Sequence, residues 1–143
     1  MNAASILKAK GNSVVTIRPS ESLEEAAQLM TKRGIGCVVV SEPGKGPVGI
    51  LSERDIVREI AVGGGGRLKA MVGDAMTRPI HTCEPFDTVD HMMAVMTARR
   101  FRHLPVVKDG ELVGLVSIGD VVKFKIAEAE METEAMRAYI TTG

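Results

Sequence analysis

GILSERD at residues 49–55 and GLVSIGD at residues 114–120 are two copies of one pattern, each preceded by a valine, Val48 and Val113. The pattern is Gly, two apolar residues, Ser, two variable residues and Asp. It then resumes as Ile56-Val57 in one copy and Val121-Val122 in the other. An apolar run that breaks into Ser-x-x-Asp and then turns apolar again predicts a short buried strand leading into a helix. Ser-x-x-Asp is also a capping box, in which the hydroxyl accepts from a first-turn amide and the carboxylate reaches back to the Ser N–H. A helix start accounts for either copy alone. It does not account for the duplication of the surrounding sequence.

That duplication runs through most of the chain. Thr16 and Pro19 recur as Thr82 and Pro85, and Ser22, Leu23 and Met30 recur as Thr88, Val89 and Met96. The run Cys37-Val38-Val39-Val40 recurs as Leu104-Pro105-Val106-Val107, with an offset that drifts by only a residue or two near 65. A period this long, present only twice, is not a solenoid. Two copies that each lack a closed core are expected to pack on one another about a pseudo-twofold axis.

The 143 residues suffice for one globular unit once the halves combine. Lys plus Arg and Asp plus Glu balance at 18 each, which argues against nucleic acid or an anionic membrane as partner. No apolar run approaches the roughly twenty residues a spanning helix needs, and the opening MNAASILKAKG is too short in apolar residues for a signal peptide. The two cysteines form no Cys-x-x-Cys motif and suggest no disulfide framework. A soluble, cytoplasmic protein is the expectation.

In chain order, residues 3–10 form a short amphipathic start, and Val14 to Ile17 is strand-like. Ser22-Leu23-Glu24-Glu25 opens a helix with Leu23, Ala26, Ala27 and Met30 on one face. Cys37–Val40 and Val48–Leu51 are strands, and a helix from about Glu53 to Ala61 turns Ile56, Val57 and Ile60 inward. Gly63 to Gly66 reads as a flexible linker. It lacks the Gly-x-x-x-x-Gly-Lys-Ser/Thr spacing of a phosphate loop and follows a helix rather than a strand.

The second copy starts with Val72-Gly73-Asp74-Ala75-Met76-Thr77, followed by a strand around Ile80 to Cys83. Its first helix carries Val89, Met92, Met93 and Met96 as a core stripe. Asp109-Gly110 marks a hairpin turn between strands 104–107 and 112–116. A helix from Val121 to Ile126 continues into a charged tail in which Met131, Ala135, Met136, Tyr139 and Ile140 are candidate packing residues. The tail is too short to establish a coiled coil. Three segments follow: 1–67 as first repeat with its Gly-rich linker, 68–127 as second repeat, and 128–143 as helical tail.

Each repeat thus reads strand, helix, strand, strand, helix. With Met76-Thr77-Arg78-Pro79-Ile80 opening the second copy and HLPVV (103–107) and LVGLVSIGDVV (112–122) following it, the sequence closely resembles a tandem pair of cystathionine-β-synthase (CBS) domains of the stand-alone prokaryotic type. The resemblance covers nearly the whole chain. It implies an α+β (α/β) fold of two β-α-β-β-α repeats packed sheet to sheet, a C-terminal helix and a homodimer. It also implies clefts that bind adenosine-containing ligands: AMP, with ATP, ADP, NAD(H) or S-adenosylmethionine as alternatives.

The same resemblance gives the motif residues roles beyond capping. Asp55 and Asp120 would accept from ribose hydroxyls in charge-assisted bonds, and Ser52 and Ser117 would contact sugar or phosphate. The helix N-terminus beside them suits an anion. The nucleotide-binding set is completed by Thr16 and Thr82, where the family places the base, by Ile35, Gly36 and Arg54, and by Arg102, His103 and Pro105. Arg102 and His103 stand where the first copy has Ile35 and Gly36, so the two clefts are expected to differ. Arg99, Arg100 and Arg102 can equally be cations at a helix C-terminus.

Catalytic readings are weaker. Cys83 lies near His81 without a third orienting residue, and Cys37 sits in a buried strand position. His81, Cys83, His91 and His103 lack zinc-ligand spacing. A non-enzymatic ligand sensor acting on a separate, unknown regulated protein is therefore expected, the other reading being a structural or interaction protein with vestigial clefts.

Overall fold

The computed structural model describes residues 1–142. In the first repeat, strand β1 (Thr16–Ile17) pairs parallel to β2 (Cys37–Glu42), which pairs antiparallel with β3 (Gly46–Ser52). Val38, Val39 and Val40 are fully buried, as a β-branched run covered on both faces should be. Each side chain there contributes roughly 1.5–3 kcal/mol. Helix α2 (Leu23–Arg33) starts at Ser22, whose hydroxyl accepts from the Glu25 N–H, and stops at Gly34 in the left-handed conformation. Its Leu23, Ala26 and Met30 lie in a core with Ile17, Leu51 and Ile56. Helix α3 (Glu53–Gly63) grows directly out of β3, with Ser52 and Asp55 closing a reciprocal capping box.

The second repeat repeats the plan with α5 (Val89–Arg99), β4 (His103–Lys108), β5 (Glu111–Ser117) and α6 (Ile118–Thr142). Val89, Met92 and Met96 form the buried stripe of α5, with Met93 packed at its margin. Asp109 and Gly110 both have positive φ, as a tight hairpin turn requires. The strand expected around Ile80 to Cys83 shrinks to a single bridge. Cys83 donates to Pro105 and accepts from Val107, alongside β4, and among the described residues no further ladder bond forms there.

The chain forms two compact units that do not follow sequence order. One contains residues 14–81 and 110–112, the other residues 1–13, 82–109 and 113–142. Helix α1 (Ala3–Lys10) therefore belongs with the second repeat, where Ala3 and Ile6 are completely buried among Cys83, Met92 and Val116. The short helix α4 (Val72–Ala75) belongs with the first, where Val72 is completely buried. The backbone bonds are matched. Val89 N–H donates to Met1 and Ala3 N–H to Asp87 in one unit; Leu23 N–H donates to Ala70 and Val72 N–H to Glu21 in the other.

This exchange explains the motif glycines. A Cβ on Gly49 would collide with the Met76 side chain and lie 3.2 Å from the Thr77 carbonyl; one on Gly114 would run into Leu7. The glycine at the head of each motif is the flat floor on which the added segment rests.

Three expectations are corrected. The Gly-rich stretch is not an open linker: α3 extends through Gly63, and a 3-10 turn (Gly65–Lys69) follows, pinned by Arg67 to Glu59 at 2.8 Å. Val57 and Ile60 point outward, 64% and 37% exposed, because Ile56 alone fills the space α3 offers to the core. The tail residues Met131, Met136, Tyr139 and Ile140 are 60–75% exposed. They extend from one continuous helix with no core beneath them.

Candidate functional site

At the start of α6 the Ser117 hydroxyl accepts from the Asp120 N–H at 3.1 Å, and the Asp120 carboxylate accepts from the Ser117 N–H at 2.9 Å. Asp120 is not consumed by the cap. Its side chain is 24% exposed, and the same Oδ2 accepts from Lys10 Nζ at 2.7 Å. Lys10 also donates to the Leu115 carbonyl at 3.0 Å, which fixes the ammonium at the end of β5. Partial burial pushes the Asp120 carboxyl upward, but the bonds from Lys10 and Ser117 outweigh it, and its pKa lies below the usual 3.8.

The entry to β4 is tied to this helix start, since the Ile118 N–H donates to the Arg102 carbonyl at 2.8 Å. Arg102 is exposed, His103 half-buried and Pro105 buried. The His103 pKa is lowered, first by burial and then by the Lys10 and Arg102 charges, with Asp120 acting in the opposite direction. The neutral imidazole is thereby favoured beside two fixed cations. Arg100 takes the left-handed position at the end of α5, where the first repeat uses Gly34. Arg99 lies in the last helical turn, and both arginines are accounted for by the helix end.

The first repeat places the same motif in a different setting. Asp55 is 5% exposed. It accepts from the Ser52 N–H at 2.9 Å and the Ser52 hydroxyl at 3.1 Å, from Thr77 Oγ1 at 3.3 Å and from Arg58 at 3.4 Å. The Gly36 carbonyl accepts from the Glu53 N–H at 2.9 Å, the counterpart of the Arg102–Ile118 bond. Here, however, the residue over the strand entry is the Glu53 carboxylate, 3.7 Å from where a Gly36 Cβ would lie. Ile35 is half-buried, whereas Thr16, Arg54 and Thr82 are exposed. The first helix start thus combines Glu53 with Arg58, whereas the second is flanked by Lys10, Arg102 and His103.

Sequence reasoning singled out neither Lys10 nor Thr77 as a site residue. Each comes from the segment added from outside its repeat, 110 and 22 positions from the carboxylate it meets. No local pattern signals either pairing. An open cleft of about 630 Å³ elsewhere on the first unit, lined by Arg18, Lys45, Met76 and Arg78 among others, contains none of the predicted residues. Cys83 is buried against Met92, and burial followed by the Asp87 charge pushes its thiol up to about 12. At neutral pH it stays protonated and is a poor nucleophile.

The CBS domain profile matches residues 11–62 and 72–127. A mitochondrial CBS domain-containing protein of Arabidopsis thaliana is 36% identical over 146 residues, an alignment covering 96% of this chain and 71% of that protein. Among solved structures, a CBS-domain containing protein from Agrobacterium tumefaciens superposes with a TM-score of 0.82 at 41% identity, over 87% of this chain and 99% of that one. A CBS domain protein from Pyrobaculum aerophilum complexed with AMP superposes with a TM-score of 0.73 at 31% identity, over 84% and 89% of the two chains. No helix among the described residues is long and apolar enough to cross a membrane. With both motif copies at helix starts of matching repeats, the chain belongs to the CBS domain family as a tandem pair.

Proposed function

We propose that this chain is a regulatory module without catalysis of its own, which binds an adenosine-containing nucleotide beside Asp120 and conveys its occupancy to a separate protein. The observation that carries this reading is the partly exposed Asp120 carboxylate, held at a helix start with Lys10, Arg102 and His103 around it. A carboxylate can accept from two vicinal ribose hydroxyls, and the neighbouring cations and helix N-terminus suit a phosphate. The AMP complex of the Pyrobaculum relative supports the ligand class. AMP is the expected ligand, ahead of ADP, ATP, NAD(H) and S-adenosylmethionine. Asp55, already engaged by four groups of its own unit, supports one working site rather than two.

Calorimetric titration of the purified chain with AMP and adenosine tests this, beside a thermal-shift panel of the five adenosine-containing ligands. AMP is expected to bind at least about tenfold more tightly than adenosine at low salt, an increment of about 1.4 kcal/mol. Added salt should narrow that gap by screening the phosphate contact. Equal affinities would remove the phosphate role of the basic cluster. A panel that stabilises nothing would favour the interaction-protein reading with vestigial clefts.

A further inference from the structure

Helix α6 buries one side and leaves another without a partner along its length. Val121 lies in the core, with Ile118 and Phe124 packed against it. About 100° around the helix, Val122, Ile126, Ala129, Thr133, Met136 and Ile140 follow one another at alternating spacings of four and three residues. That is the 3.5-residue seam of a coiled coil. Its four larger members are 40%, 55%, 61% and 72% exposed, increasing along the helix. Only the continuous helix from Ile118 makes the seam long enough to matter, since the tail alone offers two of its larger residues.

We propose that this face is the seam of a parallel two-stranded coiled coil formed with a second copy of the chain. Two features select that occupant. Ile126, Thr133 and Ile140 take the a positions, and the two isoleucines there, with unbranched Met136 at the d position between Thr133 and Ile140, lean toward two strands. The flanking charges then set the orientation. In a parallel pair each g residue faces the e residue five positions on in the other chain. Lys125 thus meets Glu130 of the second copy, and Glu132 meets Arg137 of the second copy. Symmetry doubles both attractions. Run antiparallel in the register that overlaps the whole seam, the same helices would set Lys123 against Arg137, Glu130 against Glu130 and Glu132 against Glu132, all like charges. Lys125 already reaches Asp90 at 2.7 Å, so the exposed Glu132 and Arg137 are the pair to test. Ala129 and Thr133 fill the middle of the seam poorly, so the association is concentration-dependent.

Sedimentation equilibrium of the intact chain at tens of micromolar should give twice the 15.3 kDa chain mass. Glu132→Lys and Arg137→Glu should each weaken the dimer roughly tenfold, and the double variant should recover it. The two positions are five apart on one helix and do not pair within a chain, so recovery must arise between chains. Circular dichroism that matches the unaltered chain establishes that each variant is folded. Met136→Cys should cross-link to its own copy under mild oxidation, as only the parallel arrangement brings these positions together; Met131→Cys, on the outer side, should not. A monomer at these concentrations overturns the proposal. So does a dimer indifferent to the charge exchange, or one that cross-links through position 131 and not 136.

Discussion

Asp55 and Asp120 hold the same place in the repeat, and the same two-bond cap forms at each. What differs is the rest of the carboxylate's surroundings: Thr77 and Arg58 close over one, while a single ammonium holds the other at the surface. Replacing each by Asn separates the two roles. Asp120→Asn should weaken AMP binding roughly 10- to 150-fold, the loss of about 1.5–3 kcal/mol expected when charge leaves an acceptor. Its unfolding free energy should drop by no more than about 1 kcal/mol, since Asn still caps. Asp55→Asn should do the reverse, costing about 1–3 kcal/mol of stability because the buried carboxylate accepts from four donors that an amide cannot all satisfy, while AMP affinity stays near that of the unaltered chain. Urea unfolding and calorimetry on both variants read the two quantities. Unchanged AMP affinity in Asp120→Asn removes the ribose assignment.

Among the elements, those with a complete local signature were legible in the sequence: the capped helices at Ser22 and Ser52, the β-branched strand Val38–Val40 and the turn at Asp109-Gly110. Errors arose where the pattern was local but the burial was not. Val57 and Ile60 share a helical stripe with Ile56, yet α3 has room to bury only one of the three. The strand before Cys83 has the right residues, but β4 offers it only two backbone bonds. The destinations of α1 and α4 could not be read from spacing, because α1 joins a core separated from it in sequence by the whole first repeat, and α4 turns back to the core that precedes it rather than the one that follows. Ile6 tests this directly. Ile6→Ala should cost about 2–5 kcal/mol, as removal of a fully buried aliphatic side chain does. Hydrogen exchange should show the opening concentrated in Met92, Leu104 and Val116 rather than in Val38–Val40. Equal loss of protection across both sets would contradict the placement of α1.

Across the whole molecule, the two lowered pKa values act in one direction on stability. Both groups are depressed in the folded state, so the unfolded chain takes up protons first as pH falls, and acid favours unfolding. The His103 contribution is fully present above its ordinary 6.5 and is lost below it. The Asp120 contribution persists until pH falls below the ordinary 3.8 and through its lowered value. Melting temperatures compared at pH 7.5 and pH 5.5 should therefore fall less for His103→Asn than for the unaltered chain. An equal fall would place the titration elsewhere. The candidate site was legible only in part: the Ser-x-x-Asp copies marked both helix starts, but Lys10, which distinguishes one from the other, did not announce itself.

The exchange of α1 and α4 also orders events at the ribosome. The core of residues 14–81 has nearly all its parts once Met76 has emerged, whereas Ala3, Ile6 and Leu7, made before it, have no groove to enter until Val116 and Val121 follow. At about 5–20 residues per second, the roughly 45 residues from Met76 to Val121 take about 2–9 s to synthesise. For that interval the nascent chain carries a nearly complete first unit preceded by an amphipathic helix whose apolar face is unsheltered. A chaperone that binds short apolar segments would meet its target ahead of the first repeat, before the second repeat exists.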